Sequence, residues 1–172
     1  MRKIIIDTDT GSDDAIALVM ALRDPSVKVL ALTTVSGNVD VDQATYNALQ
    51  CIDYANTNQP PVFKGIMKPL CRALEATHKV HGEDGMGDIG FRAPTQKHET
   101  EHAVDALIRI IGEGDGDIEL ITIGPLTNVA VAMLQAPEVM KKVPHITIMG
   151  GANFFSNPHT KTAEFNILVD SD

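Results

Sequence analysis

The sequence predicts a doubly wound α/β domain, with a mostly parallel, Rossmann-like sheet covered by helices on both faces. Three observations predict it. Short β-branched runs alternate along the chain with stretches of helical apolar spacing. The first of these runs, Lys3 to Asp7, is a β-branched stretch of three isoleucines bounded by polar residues, the pattern of a parallel strand covered on both faces. The third is the Gly-, Asp-, Asn- and Ser-rich turns that follow the strand-like runs, where open parallel sheets place their ligands.

Each element follows in chain order. KIIID (Lys3 to Asp7) is the first strand, TDTGSD is the loop after it, and apolar residues then recur at helical spacing from about Asp14 to Arg23. VKVLALTTV (Val27 to Val35) is the second strand. The turn SGNVD leads into a helix over Val41 to Ala55. A short strand is expected at Val62 to Lys64, after the proline pair. From Gly65 to His98 periodicity is lost and Gly, His and charge dominate, so this stretch reads as a long functional loop or lid. Order returns with a helix over about Glu101 to Glu113, a strand over Asp117 to Gly124 and a helix starting at Thr127. The next strand spans His145 to Gly151. Thr127 and Asn128 are capping residue types, which makes Asn128 a helix-start residue. EFNILVD reads as a further strand, in which Glu164 and Asn166 flank Phe165 and point to one side of an extended segment. Residues 1–172 thus read as a single α/β domain.

Bulk properties exclude several function classes. The chain has 172 residues, 44% of them hydrophobic, enough for one domain with a real core. Its 23 acidic against 14 basic residues give a net charge of -9, with no electropositive surface for nucleic acid or an anionic membrane. Cys51 and Cys71 lack C-x-x-C or Cys/His metal spacing and read as reduced thiols. No signal-peptide pattern follows Met1, and no run approaches the roughly 20 apolar residues of a membrane span, so the expected location is cytoplasmic.

The chemistry concentrates in the first loop. Asp7, Asp9, Asp13 and Asp14 fall within eight residues, around the tight turn at Gly11. Like charges this close raise one another's pKa unless a cation or backbone N–H groups compensate them, and a hard divalent ion is the simplest compensation. A purely structural explanation competes: Asp13 and Asp14 also suit the first turn of a helix, and Asp7 and Asp9 suit a turn. An aspartyl-phosphate enzyme of the haloacid dehalogenase type likewise starts with an apolar strand and D-x-D, although the continuation Gly11-Ser12-Asp13-Asp14 fits it badly. An EF-hand loop is rejected, because a strand precedes the loop and its twelfth position is Leu18.

Four segments in order, IIIDTDTGSDDAIAL, TTVSGN, TIGPLTNVA and IMGGANFFSNPHTKTAEFN, resemble the inosine-uridine type of nucleoside hydrolase, a calcium-dependent family that cleaves the N-glycosidic bond of ribonucleosides with water. The resemblance implies that Asp9 and Asp14 are calcium-binding carboxylates and that the carbonyl of Ile123 is a main-chain ligand. It implies that Asp13 and Asn38 hold the ribose hydroxyls and the attacking water, and that Asn157, Glu164 and Asn166 grip the sugar, with Met149 beneath it. His81 would lie near the base end of the pocket, and Asp7 would orient its neighbours from behind. His78, His98, His102, His145 and His159 read as surface or loop histidines. Asp9 is the expected catalytic base for the water. The resemblance also implies a homo-oligomer, dimer or tetramer, acting in nucleoside salvage. Members of the family are longer than this chain, so residues 1–172 are expected to be its amino-terminal part, C-terminally truncated. The alternatives that stay open are a phosphohydrolase and a noncatalytic metal-binding fragment.

Overall fold

The structure is a computed structural model that describes residues 1–71, 73, 78–151 and 164–171. Its elements are β1 (Arg2–Thr8), α1 (Ser12–Arg23), β2 (Val27–Thr34), α2 (Val41–Ala55), β3 (Val62–Lys64), α3 (His78–His81), α4 (Ala103–Glu113), β4 (Ile118–Thr122), α5 (Thr127–Gln135), α6 (Pro137–Met140), β5 (Ile146–Ile148) and α7 (Phe165–Val169). The strands form one sheet in the order β3-β2-β1-β4-β5, and every pairing in it is parallel.

Side-chain alternation along β1 generates the two layers. Ile4 and Ile6 point to one face, where they join Leu18 and Leu22 of α1 and Leu49 and Ile52 of α2. Ile5 points to the other and meets Val104, Leu107 and Ile111 of α4 and Val129 of α5. Because both faces are covered, Ile4, Ile5 and Ile6 are all buried, which explains the unbroken apolar run.

Three expectations are corrected. The segment after Glu164 is helical rather than extended: Glu164 caps α7, its side chain accepting from the Ile167 N–H, so Glu164 and Asn166 do not share a strand face. Asn128 is not a cap, since Leu126 holds that position and the Asn128 side chain is fully buried. The described part of the Gly65 to His98 stretch is more ordered than a free lid. It contains α3, and its later part is bound to α2: Asn47 Nδ2 donates to the Asp84 carbonyl, Gln50 Nε2 to the carbonyls of Phe91 and Arg92, and Asp53 accepts from Thr95. Polar side chains on the buried side of α2 thus satisfy a backbone that lacks ladder partners of its own. Elsewhere the ends shift by one to three residues; α1 begins at Ser12, β5 ends at Ile148, and His102 caps α4 by accepting from the Val104 N–H.

Strand order reverses between β1 and β4. The loops leaving their carboxyl ends, with the acidic turn on one and Ile123 on the other, therefore border the crevice where sheets of this type bind ligands.

Candidate functional site

Three carboxylates lie under the crevice. Asp7 and Asp9 are fully buried and Asp14 is nearly so, whereas Asp13, one residue earlier on α1, is exposed. β1 carries Asp7 in its ladder, the chain turns at Asp9, and Asp14 lies in the first turn of α1, where its Oδ2 accepts from the Gly11 N–H at 2.8 Å. Asn38, in the loop after β2, spans the pair. Its N–H donates to Asp9 Oδ2 at 2.7 Å and its Nδ2 to Asp14 Oδ2 at 3.3 Å. Two glycines allow the backbone to close on Asp9. A Cβ on Gly37 would sit 2.2 Å from Asp9 Oδ2, and one on Gly124 would sit 2.8 Å from Asp9 Oδ1.

Asp7 belongs to a deeper layer. Its Oδ1 accepts from Thr33 Oγ1 and from Asn128 Nδ2; the same Asn128 amide donates to the Thr34 carbonyl and accepts from the Ile66 N–H. One buried amide therefore ties the carboxyl ends of β1 and β2 to the loop after β3. Asn128 was visible in the sequence only as a capping type. The stronger signal was a polar residue beside Val129 and Ala132 on the core face of its helix, the kind of side chain that is buried only when fully hydrogen-bonded. Asn47, within the apolar face of α2, was missed for the same reason.

One oxygen of each buried carboxylate, Asp7 Oδ2, Asp9 Oδ1 and Asp14 Oδ1, has no hydrogen-bond partner among the described residues. Burial accordingly pushes all three carboxyls up from the ordinary 3.8: Asp7 to about 7, Asp9 to about 6 and Asp14 to about 8, the last raised further by the charge of Asp9. Native structures rarely leave buried carboxylate oxygens unmatched, so this donor set suits a hard cation. Among the described residues no three His, Cys, Asp or Glu side chains group as a metal site. A cation would draw on Asp9 and Asp14 together with main-chain oxygens.

The far wall comes from β4, β5 and α7. The Ile123 N–H donates to the Asp7 carbonyl, which sets the Ile123 carbonyl beside the acidic turn. Asn166 Nδ2 donates to that carbonyl at 3.1 Å and to the Met149 carbonyl at 3.4 Å. Glu164 caps α7 with its carboxylate near Gly150, where an added Cβ would sit 3.6 Å from Glu164 Oε2, and Met149 is exposed. His81 meets the acidic turn at Ser12 and Asp13. The structure thus brings together Asp7, Asp9, Asp14, Asn38, Ile123 and Asn166, with Met149 and Glu164 along the wall and Asp13 and His81 at the rim. Asn157 lies outside the described residues.

The arrangement has relatives. Residues 4–172 match the family model for inosine-uridine preferring nucleoside hydrolase. A pyrimidine-specific ribonucleoside hydrolase of Escherichia coli, RihB, is 40% identical over 171 residues, an alignment that takes in 99% of this chain and 54% of the relative. A plant nucleoside hydrolase, PpNRh1, superposes with a TM-score of 0.93 at 39% identity, over 99% of this chain and 54% of the plant protein. A purine-preferring ribonucleoside hydrolase from Gardnerella vaginalis also gives 0.93, at 32% identity, covering 99% of this chain and 55% of its own. The chain therefore spans about half the length of these relatives.

Proposed function

This chain belongs to the inosine-uridine preferring nucleoside hydrolase family, and from that premise we propose that it provides the cation- and sugar-binding part of a ribonucleoside hydrolase that releases free base and ribose. The observation that carries the reading is the pair of unmatched, buried oxygens Asp9 Oδ1 and Asp14 Oδ1, on two carboxylates whose other oxygens Asn38 holds. With the Ile123 carbonyl these residues fit a calcium ion, an all-oxygen ligand set with two carboxylates and a main-chain carbonyl. Calcium bound there would supply positive charge that acidifies a water and draws in the ribose hydroxyls.

N-glycoside cleavage develops positive charge on the sugar, so it requires a water with its proton removed and a firmly held ribose. Asp9 takes the water's proton: Asn38 fixes its Oδ2, and its Oδ1 has no hydrogen-bond partner among the described residues. Asp13 and Asn38 hold ribose hydroxyls from the α1 side. Glu164 and Asn166 hold them from the far wall, Met149 packs beneath the ring, and His81 stands at the base end; Asn157 is a further sugar-binding residue in this reading. Asp7 acts through the backbone it anchors.

The relatives include one named pyrimidine-specific and one named purine-preferring, so the substrate class proposed is ribonucleosides of either kind. The family assignment leaves the phosphohydrolase alternative without support. Among the described residues no helix is long and apolar enough to cross a membrane. We further propose a cytoplasmic homo-oligomer, dimer or tetramer, working in nucleoside salvage as one α/β domain.

Reducing-sugar release from inosine and uridine tests the activity, with phosphate release from phosphoesters as the control. The expected result is sugar without phosphate, abolished by excess chelator and restored by calcium. The cation site is tested without turnover: calcium should raise the Tm of this chain, and Asp14→Asn should remove the rise. Chelator-indifferent sugar release, or a calcium shift that survives Asp14→Asn, would refute the corresponding part.

A further inference from the structure

Ser12 and Asp13, consecutive residues in the first turn of α1, hold the two ring nitrogens of His81. Ser12 Oγ lies 2.8 Å from Nδ1, and Asp13 Oδ1 lies 3.8 Å from Nε2. We propose that Ser12 is a positioning residue that fixes His81 in the tautomer with its proton on Nε2, so that the ring offers a donor beside the Asp13 carboxylate.

The contact is built in from both sides. On one side, Ser12 and Asp13 ride on a regular helix packed on the sheet. On the other, the His81 carbonyl accepts from the Gly87 N–H at 2.7 Å, which closes the His81–Asp88 turns on themselves. The buried amide of Asn47 then joins the two sides, with Nδ2 donating to the Thr10 carbonyl at 3.0 Å and to the Asp84 carbonyl at 2.8 Å. The two hydrogens of one side chain therefore register the acidic loop against the segment that carries His81. The His81 side chain is 15% exposed in consequence.

Which nitrogen carries the proton follows from the partners. A carboxylate only accepts, so a lone pair on Nε2 facing Asp13 would be repelled and an N–H attracted. The neutral ring then has its lone pair on Nδ1, and the Ser12 hydroxyl, which can donate or accept, donates to it. Without Ser12, the Asp13 carboxylate, 3.8 Å from Nε2, is left to favour the Nε2–H tautomer.

The role deepens the nucleoside reading and rests on it. Asp13 as acceptor and His81 Nε2–H as donor form a matched pair for a hydroxyl, which both donates and accepts. A sugar hydroxyl is therefore the ligand chemistry this rim recognises.

Long-range proton–nitrogen NMR of the 15N-labelled 172-residue chain reads the tautomer directly, with the His81 signals assigned by their loss in His81→Gln. At a pH where the ring is neutral, the expected result is protonated Nε2 and bare Nδ1 in the wild type. The Nδ1–H population should rise severalfold in Ser12→Ala and return to the wild-type value in Ser12→Thr. A wild-type ring protonated on Nδ1, or one unchanged by Ser12→Ala, overturns the proposal. Should Ser12→Ala fail to fold, the wild-type spectrum and Ser12→Thr still decide it. The measurement involves neither cation nor turnover, so loss of the hydrolase reading and loss of this one are separate outcomes.

Discussion

Asp7, Asp9 and Asp14 sit under the crevice with one oxygen each unmatched, and that arrangement sets how the cation-free protein responds to pH. All three carboxyls are raised from 3.8, to about 7, 6 and 8. Between these values the native state binds more protons than the unfolded chain, so stability falls as pH rises. The contribution is whole below the unfolded value near 3.8 and is lost as pH climbs through the folded values. Calorimetry in chelator should therefore give a lower Tm at pH 8.5 than at pH 5.5, with calcium narrowing the gap at the higher pH; a higher Tm at pH 8.5 in chelator would contradict the burial argument. Asp9→Ala removes the proposed base and should lower hydrolysis by about 10²–10⁴-fold in a folded protein, as general-base losses do. Near wild-type turnover would exclude Asp9 from the chemistry. Asn128→Ala acts differently, because it strips a donor from Asp7 and from the Thr34 carbonyl. Leaving such groups unpaired costs about 1–3 kcal/mol each, which should appear as a lower denaturant midpoint.

At the scale of elements, the strand–loop–helix units hold these residues still. β1 is the centre of the sheet, with β2 on one side and β4 on the other, so any side chain at its carboxyl end is fixed by two ladders. Ile5 faces α4 and α5 from the middle of that strand and is fully buried. Ile5→Ala should therefore cost about 2–5 kcal/mol in chemical denaturation, the range for large-to-small changes in a packed core. A cost below 1 kcal/mol would mean that the second layer is loosely packed. The helices were legible because their apolar residues recur at helical spacing, and α2 and β3 fall at the predicted boundaries, Val41–Ala55 and Val62–Lys64. The EFNILVD segment was not legible. Its apolar residues are compatible with either period over so few positions, and the choice fell to a local event, the Glu164 carboxylate capping the turn. The Gly65 to His98 stretch has no period to read. Its described part takes shape from buried polar groups of α2, whose partners lie about 40 residues away in sequence.

For the molecule as a whole, the strand order β3-β2-β1-β4-β5 turns separate motifs into one site. If the ribose hydroxyls are held from both walls of this crevice, 2'-deoxyribonucleosides lose a contact made on reaching the transition state. They should then be hydrolysed with kcat/KM lower by about tenfold or more for each hydrogen bond of roughly 1.4 kcal/mol; equal rates for inosine and 2'-deoxyinosine would count against ribose recognition. By itself the sequence determined the alternation of elements, the sheet class, the family and the identity of the acidic loop. Those follow from local periodicity and from residues close together in the chain. Only the tertiary structure decided that Asp13 is exposed while Asp9 and Asp14 are buried, that Asn38 bridges the two, and that Asn128 and Asn47 lock the loops together. Burial and long-range hydrogen bonding depend on which loops the parallel crossovers bring to the same end of the sheet, and no local pattern of residue types encodes that.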